Sequence, residues 1–113
     1  MSNSFINAKV DLTTTDNTTL YTTPTANVSL VKSILVSNDS GSSCNLDVTL
    51  TDASGSVFSL FKTKAVDTNT TVELLTQPLV VEESEILKVQ ASDANELHVI
   101  ASILQIQPRE VTT

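Results

Sequence analysis

The chain has 113 residues, enough for one domain with a core that needs neither disulfides nor metals. Thirteen Asp and Glu against six Lys and Arg leave a net charge of −7, which phosphate backbones repel, so direct nucleic-acid binding is not expected. Aromatic residues make up only 4% against 40% hydrophobic, so the core must be aliphatic and platforms for stacking sugars or bases are scarce.

The chain opens with an apolar pair, Phe5-Ile6, followed by Ala8, Val10 and Leu12 in alternation with Lys9, Asp11 and Thr13. Alternation of this kind marks a strand with one face covered. Residues 1–19 are therefore either the first strand of the domain or an N-terminal docking arm, joined to it by the Thr-rich linker 13–19. Leu20-Tyr21-Thr22 is a short extended piece, and Pro24 stops it while biasing Thr23 towards extended geometry.

Val28–Leu50 reads as two strands around a turn. Leu30, Ile34 and Val36 form the apolar set of the first, and Asn38-Asp39-Ser40-Gly41-Ser42-Ser43 supplies six turn-forming residues. Cys44, Leu46, Val48 and Leu50 then alternate with Asn45, Asp47, Thr49 and Thr51. A second turn at 52–56 leads to a strand over 57–62, with Phe58 and Leu60 on one face. A polar connection is expected over 63–70, then a short strand over 71–76, interrupted by Gln77-Pro78. Leu79-Val80-Val81 is a brief extended segment before the acidic turn Glu82–Glu85.

EESEILKVQAS has some helical spacing, but Leu87, Val89 and Ala91 alternate with Lys88 and Gln90, and so short a helix is marginal in water. A strand is predicted. Asp93-Ala94-Asn95 is a hairpin loop, and 96–106 is the final strand. Its one face carries Leu97, Val99, Ala101 and Ile103; the other carries His98, Ile100, Ser102, Leu104 and Ile106. Residues 107–113 read as a tail. Eight or nine short strands with turns between them predict an all-β antiparallel sandwich over 20–106, jelly-roll or immunoglobulin-like. Ile34, Val36, Leu46, Val48, Leu97 and Val99 are expected in one core.

Chemistry is sparse. A single Cys44 excludes an internal disulfide, and its place in an alternating strand marks it as a small buried hydrophobe. His98 is the only histidine; an enzyme would need it beside Cys44, a serine or a carboxylate in a pocket. Glu82, Glu83 and Glu85 match no calcium loop, and no phosphate-binding glycine pattern is present. No catalytic, cofactor or metal site is expected. No basic leader followed by an apolar run and no membrane-length apolar stretch occurs, so the expectation is a soluble protein made in a cytoplasm. What remains is an apolar surplus: Phe5, Ile6, Val80, Val81, Ile100, Leu104 and Ile106 exceed the needs of one core and are candidate partner contacts.

Two stretches, TTLYTTPTANVSLVKSILVSNDSGSSCNLDVTLTDASG and TNTTVELLTQPLVVEESEILKVQASDANELHVIASILQI, carry a wider resemblance. From Leu20 to Ile106 the chain resembles small β-sandwich virion structural proteins of tailed bacteriophages, through its V-K-S-I-L-V-S-N strand and its closing L-x-V-x-A-S-x-A-N-x-L-x-V pattern. That resemblance implies a non-enzymatic role as a capsid decoration (cement) protein, or as a neck or tail component. It also implies many copies in the virion, with the major capsid protein or another virion protein as partner; a homotrimer is expected because closed cyclic symmetry would match a threefold site on a shell. It supplies no catalytic residues. An immunoglobulin-like glycan-binding module is the alternative of another class, and would need exposed Tyr21, Phe58 or Phe61 beside Asp or Asn in a cleft.

Overall fold

The computed structural model describes residues 2–107, and every regular element in them is a strand. The strands are β1 (Ser2–Leu12), β2 (Thr18–Thr22), β3 (Val28–Asn38), β4 (Cys44–Thr51), β5 (Val57–Val66), β6 (Thr70–Glu73), β7 (Leu79–Val81), β8 (Ile86–Ala91) and β9 (Leu97–Gln107). They form two antiparallel sheets. One runs β1-β9-β3-β6, with β7 also paired to β3; the other runs β2-β8-β4-β5.

Pairing proceeds from the chain ends inward. β1 lies on β9, β2 on β8, β3 on β6 and β7, and β4 on β5. The chain is thus one long hairpin folded over itself, with β6 and β7 as two halves of an interrupted strand. Counting them once gives the eight strands of a jelly roll. The immunoglobulin-like alternative gives way to this topology.

The core lies between the sheets, built by the alternation seen in the sequence. Ile34, Val36, Leu46, Val48, Leu97 and Val99 are all fully buried, joined by Val31, Leu87, Val89 and Ile103. Complete burial of such a side chain contributes roughly 1.5–3 kcal/mol. Tyr21 is the one aromatic inside, and its hydroxyl bonds Ser29 Oγ at 2.6 Å and Gln105 Oε1 at 2.8 Å. A buried phenol needs such partners, because an unpaired hydroxyl in an apolar core is costly.

Several expectations need correction. Leu30 does not share a face with Ile34. Val31 pairs with Ile103 and Ser33 with Ser102, so Lys32 is an extra residue in β3. A bulge of this kind reverses the inward parity: Ser29 and Val31 point in before it, Ile34 and Val36 after it, and Leu30 and Leu35 point out. The connection expected over 63–70 is shorter, because β5 continues to the buried Val66. It does so through register shifts against β4 and a left-handed Thr63 at φ 56. The strand expected over 71–76 ends at Glu73. Gln107, placed in the tail, belongs to β9, and 108–113 lie outside the described residues.

Residues 2–12 are a strand and not a free arm: β1 pairs residue for residue with β9, from Ser2↔Gln107 to Leu12↔Leu97. Phe5 nevertheless stays outside the core, 78% exposed.

Candidate partner interface

Odd residues of β1, even residues of β9, and Leu30 and Leu35 of β3 all emerge on the outer face of the five-stranded sheet. Cross-strand register arranges them in rows. Phe5 lies opposite Leu104, Leu104 opposite Leu30, and Leu30 opposite Val80, giving an apolar row across β1, β9, β3 and β7. A second row runs Lys9, Ile100, Leu35, Glu73. Ile106 lies between Asn3 and Val28. Directly opposed side chains on one face sit close enough to touch, so each row is a continuous surface. Phe5, Val80, Ile100 and Leu35 are all among the exposed large hydrophobics.

Five of the seven expected contact residues therefore share one face: Phe5, Val80, Ile100, Leu104 and Ile106. Two do not. Val81 is fully buried opposite Ser29, and Ile6 packs against the core opposite Ile103, because each is one residue out of phase with its outward neighbour. Leu30 and Leu35 are the members that sequence reasoning missed. The bulge at Lys32 hides them, since uninterrupted alternation sends one of the two inward.

The same face carries the charges Lys9, Asp11, Lys32 and Glu73. His98 Nε2 lies 3.2 Å from Asp11 Oδ1, beside a shallow depression of ≈ 380 Å³ lined with Lys9, Val99 and Ile100. Ser37 stands on the opposite side of His98 in register, so Asp11, His98 and Ser37 form a polar row. Among the described residues no hydrogen bond joins Ser37 to His98, and the row lies on an open sheet surface. Cys44 takes no part, being buried against Ser92 Oγ at 3.4 Å.

Other groupings were not apparent from sequence. Cys44, Asp93 and Glu96 bring their ligating atoms within 4.8 Å of one another where β4 begins beside the β8–β9 loop, and Glu96 Oε2 is buried without a partner. Two carboxylates of the acidic turn bond backbone instead: Glu83 accepts the Ala26 amide and Glu85 accepts the Glu82 amide. Of the aromatics a glycan module would expose, Tyr21 is buried, Phe61 is half-buried, and Phe58 is exposed on the edge strand β5.

Glu73 holds the interrupted strand. Burial pushes its carboxyl up, but the Ser33 hydroxyl and the Ile34, Leu75 and Leu74 amides together outweigh this and hold it below its ordinary value. Asp52, in the β4–β5 turn, is also lowered, chiefly by the Ser54 hydroxyl and the Ser56 amide.

Neither a protein-family model nor a curated protein sequence matches the chain. Solved structures do. A chain from the acid-stable capsid of Helicobacter pylori bacteriophage KHP30 superposes on 100% of this chain and 95% of its own length, with TM-score 0.61 and 10% identity. A chain of the infectious bursal disease virus particle matches 91% of this chain with TM-score 0.59 and 11% identity; the present chain spans only 30% of that one. A chain of Bacillus endospore appendages, which form disulfide-linked pili, matches over 93% of this chain and 89% of its own, with TM-score 0.53 and 11% identity. At such identities the likeness is one of fold. It is a fold shared with chains of viral capsids.

Proposed function

We propose that this protein is a non-enzymatic structural component of a bacteriophage virion, and most concretely a decoration (cement) protein that binds across capsid subunits. The observation that carries the proposal is the outer face of the five-stranded sheet. On a chain of net charge −7 it holds an apolar row four strands wide, Phe5-Leu104-Leu30-Val80, where solvent alone would favour polar side chains. The bacteriophage KHP30 capsid chain adds support, because its likeness covers nearly the full length of both chains.

Docking would work by complementarity. Burying this face on the major capsid protein or another virion protein occurs only in the assembled shell, so every favourable contact stabilises the shell by mass action. A neck or tail component is the alternative within the class, differing in copy number rather than in surface chemistry. A homotrimer, expected from sequence, would close its ring through two different complementary patches on each copy.

The test uses particles purified by density gradient from a culture that produces the chain. Quantitative mass spectrometry should find it at a copy number proportional to that of the major capsid protein, and Val80→Glu with Ile100→Glu should lower its recovery on particles while leaving its fold intact. A copy number matching a single ring would move it to the neck or tail. Absence from particles would overturn the reading.

A further inference from the structure

The two sheets have four edges, and three are blunted. β2 is five residues long and carries a register shift. β6 and β7 are short and separated by the break around Pro78. β5 is long, but it is broken by register shifts, a left-handed Thr63 and the exposed Lys62 and Lys64. These are devices that keep an edge from pairing with another chain. β1 lacks the break, the register shift and the left-handed residue, and carries a single lysine. It is an eleven-residue edge strand with an unbroken register, no proline, and Lys9 and Asp11 as its only charges. Its inward side chains Ile6, Ala8 and Val10 are moreover only half covered, although they face the core.

We propose that the β1 edge is a strand-pairing site for a second copy of this chain, which adds its own β1 antiparallel about a twofold axis at Asn7. That register alone overlaps the strand over its whole length. It sets Asn7 against Asn7, Phe5 against Lys9 and Asn3 against Asp11 of the second copy on the outer face. On the inner face Ile6 meets Ala8, which covers the half-buried residues. Shifting the twofold to residue 9 or residue 11 opposes like charges, Lys9 with Lys9 or Asp11 with Asp11, and shortens the overlap. An isologous contact of this kind closes by itself.

The register also joins the outer faces. Phe5 ends the row Val80-Leu30-Leu104-Phe5, and Lys9 begins the row Lys9-Ile100-Leu35. With Phe5 opposite Lys9 of the second copy, the first row of one copy runs on into the second row of the other. A cation against an aromatic ring makes that junction favourable. Two half-surfaces become one continuous sheet face.

Light scattering on the full chain should give twice the 12.1 kDa mass of one copy at micromolar concentration. Asn7→Asp, which opposes two carboxylates on the axis, should raise the dimer dissociation constant at least tenfold without changing the circular dichroism spectrum. Asn7→Cys should cross-link to a covalent dimer under mild oxidation, whereas Lys9→Cys, set well along the strand from its own copy, should not. A monomer throughout, or equal cross-linking of the two cysteine variants, overturns the proposal. Both readouts use the isolated protein, so they fail or succeed independently of particle binding.

Discussion

The Glu73 carboxylate accepts the Ile34 amide at 2.9 Å, standing in for the main-chain partner that β3 loses where β6 ends. The same oxygen takes the Leu75 amide at 3.1 Å, the other bonds the Ser33 hydroxyl, and the Leu74 amide returns to Ile34 O at 2.9 Å. One side chain thus satisfies two amides at the point where bulge and strand break meet.

Removing it should cost accordingly. Glu73→Ala leaves the Ile34 and Leu75 amides without their acceptor, and because Glu73 is exposed the loss should be about 0.5–1.5 kcal/mol in urea denaturation. A change under about 0.2 kcal/mol would mean that water replaces the carboxylate freely.

The pH dependence follows from the direction of the shift. Glu73 is held below its ordinary value of 4.5, so its contribution is complete above pH 4.5 and is lost as pH falls through the lower folded value. Glu73→Gln has no such titration. The stability difference between wild type and Glu73→Gln should therefore be constant from neutral pH down to about 4.5 and shrink below it. Parallel acid curves for the two proteins would contradict the assignment.

Asn38 makes a sharper test, because sequence alone places it in a turn where Asp serves equally well. In the structure it is buried. Its Nδ2 donates to Val66 O at 3.0 Å and Ser42 O at 2.9 Å, while its Oδ1 accepts from the Ser40 amide at 2.9 Å. Asn38→Asp keeps the acceptor, loses both donors and buries a charge, so it should cost more than Asn38→Ala, whose expected loss is about 1–3 kcal/mol. Thermal melts of the Asn38→Asp variant that coincide with those of the wild type would return the residue to the role of a simple turn former.

Asn38 marks one limit of what the sequence made legible. Alternation located the strands and the six named core residues, because a period of two is dictated by the pleat itself. It also gathered five of the seven expected contacts on one face. It failed wherever the period slips. The extra Lys32 reverses β3, and nothing in VSLVKSILVSN marks which residue is surplus. Val81 and Ile6 went astray because adjacent apolar residues offer no local sign of which one points inward. Thr63 looks like loop, since a left-handed residue inside an edge strand is fixed by the Asp47 carboxylate that accepts its amide at 2.6 Å, sixteen residues away. The cluster of Cys44, Asp93 and Glu96 is equally a product of topology.

The two faces of β9 give the last prediction. Leu97 and Leu104 belong to one strand, seven residues apart, and an odd spacing sends them to opposite sides. Leu97 is fully buried between the sheets, whereas Leu104 is half-exposed between Phe5 and Leu30. Leu97→Ala should leave a cavity that the rigid sheets cannot collapse, at about 2–5 kcal/mol. Leu104→Ala removes less apolar area from a surface that water already reaches, and should cost less than about 1.5 kcal/mol in the isolated protein. On particles the order reverses: Leu104→Ala should weaken attachment, while Leu97→Ala, once folded, presents an unchanged outer face. Chemical denaturation and particle co-sedimentation of the two variants measure both halves. Equal destabilisation by the two substitutions would mean that Leu104 is core, and the outer row would then lose its centre.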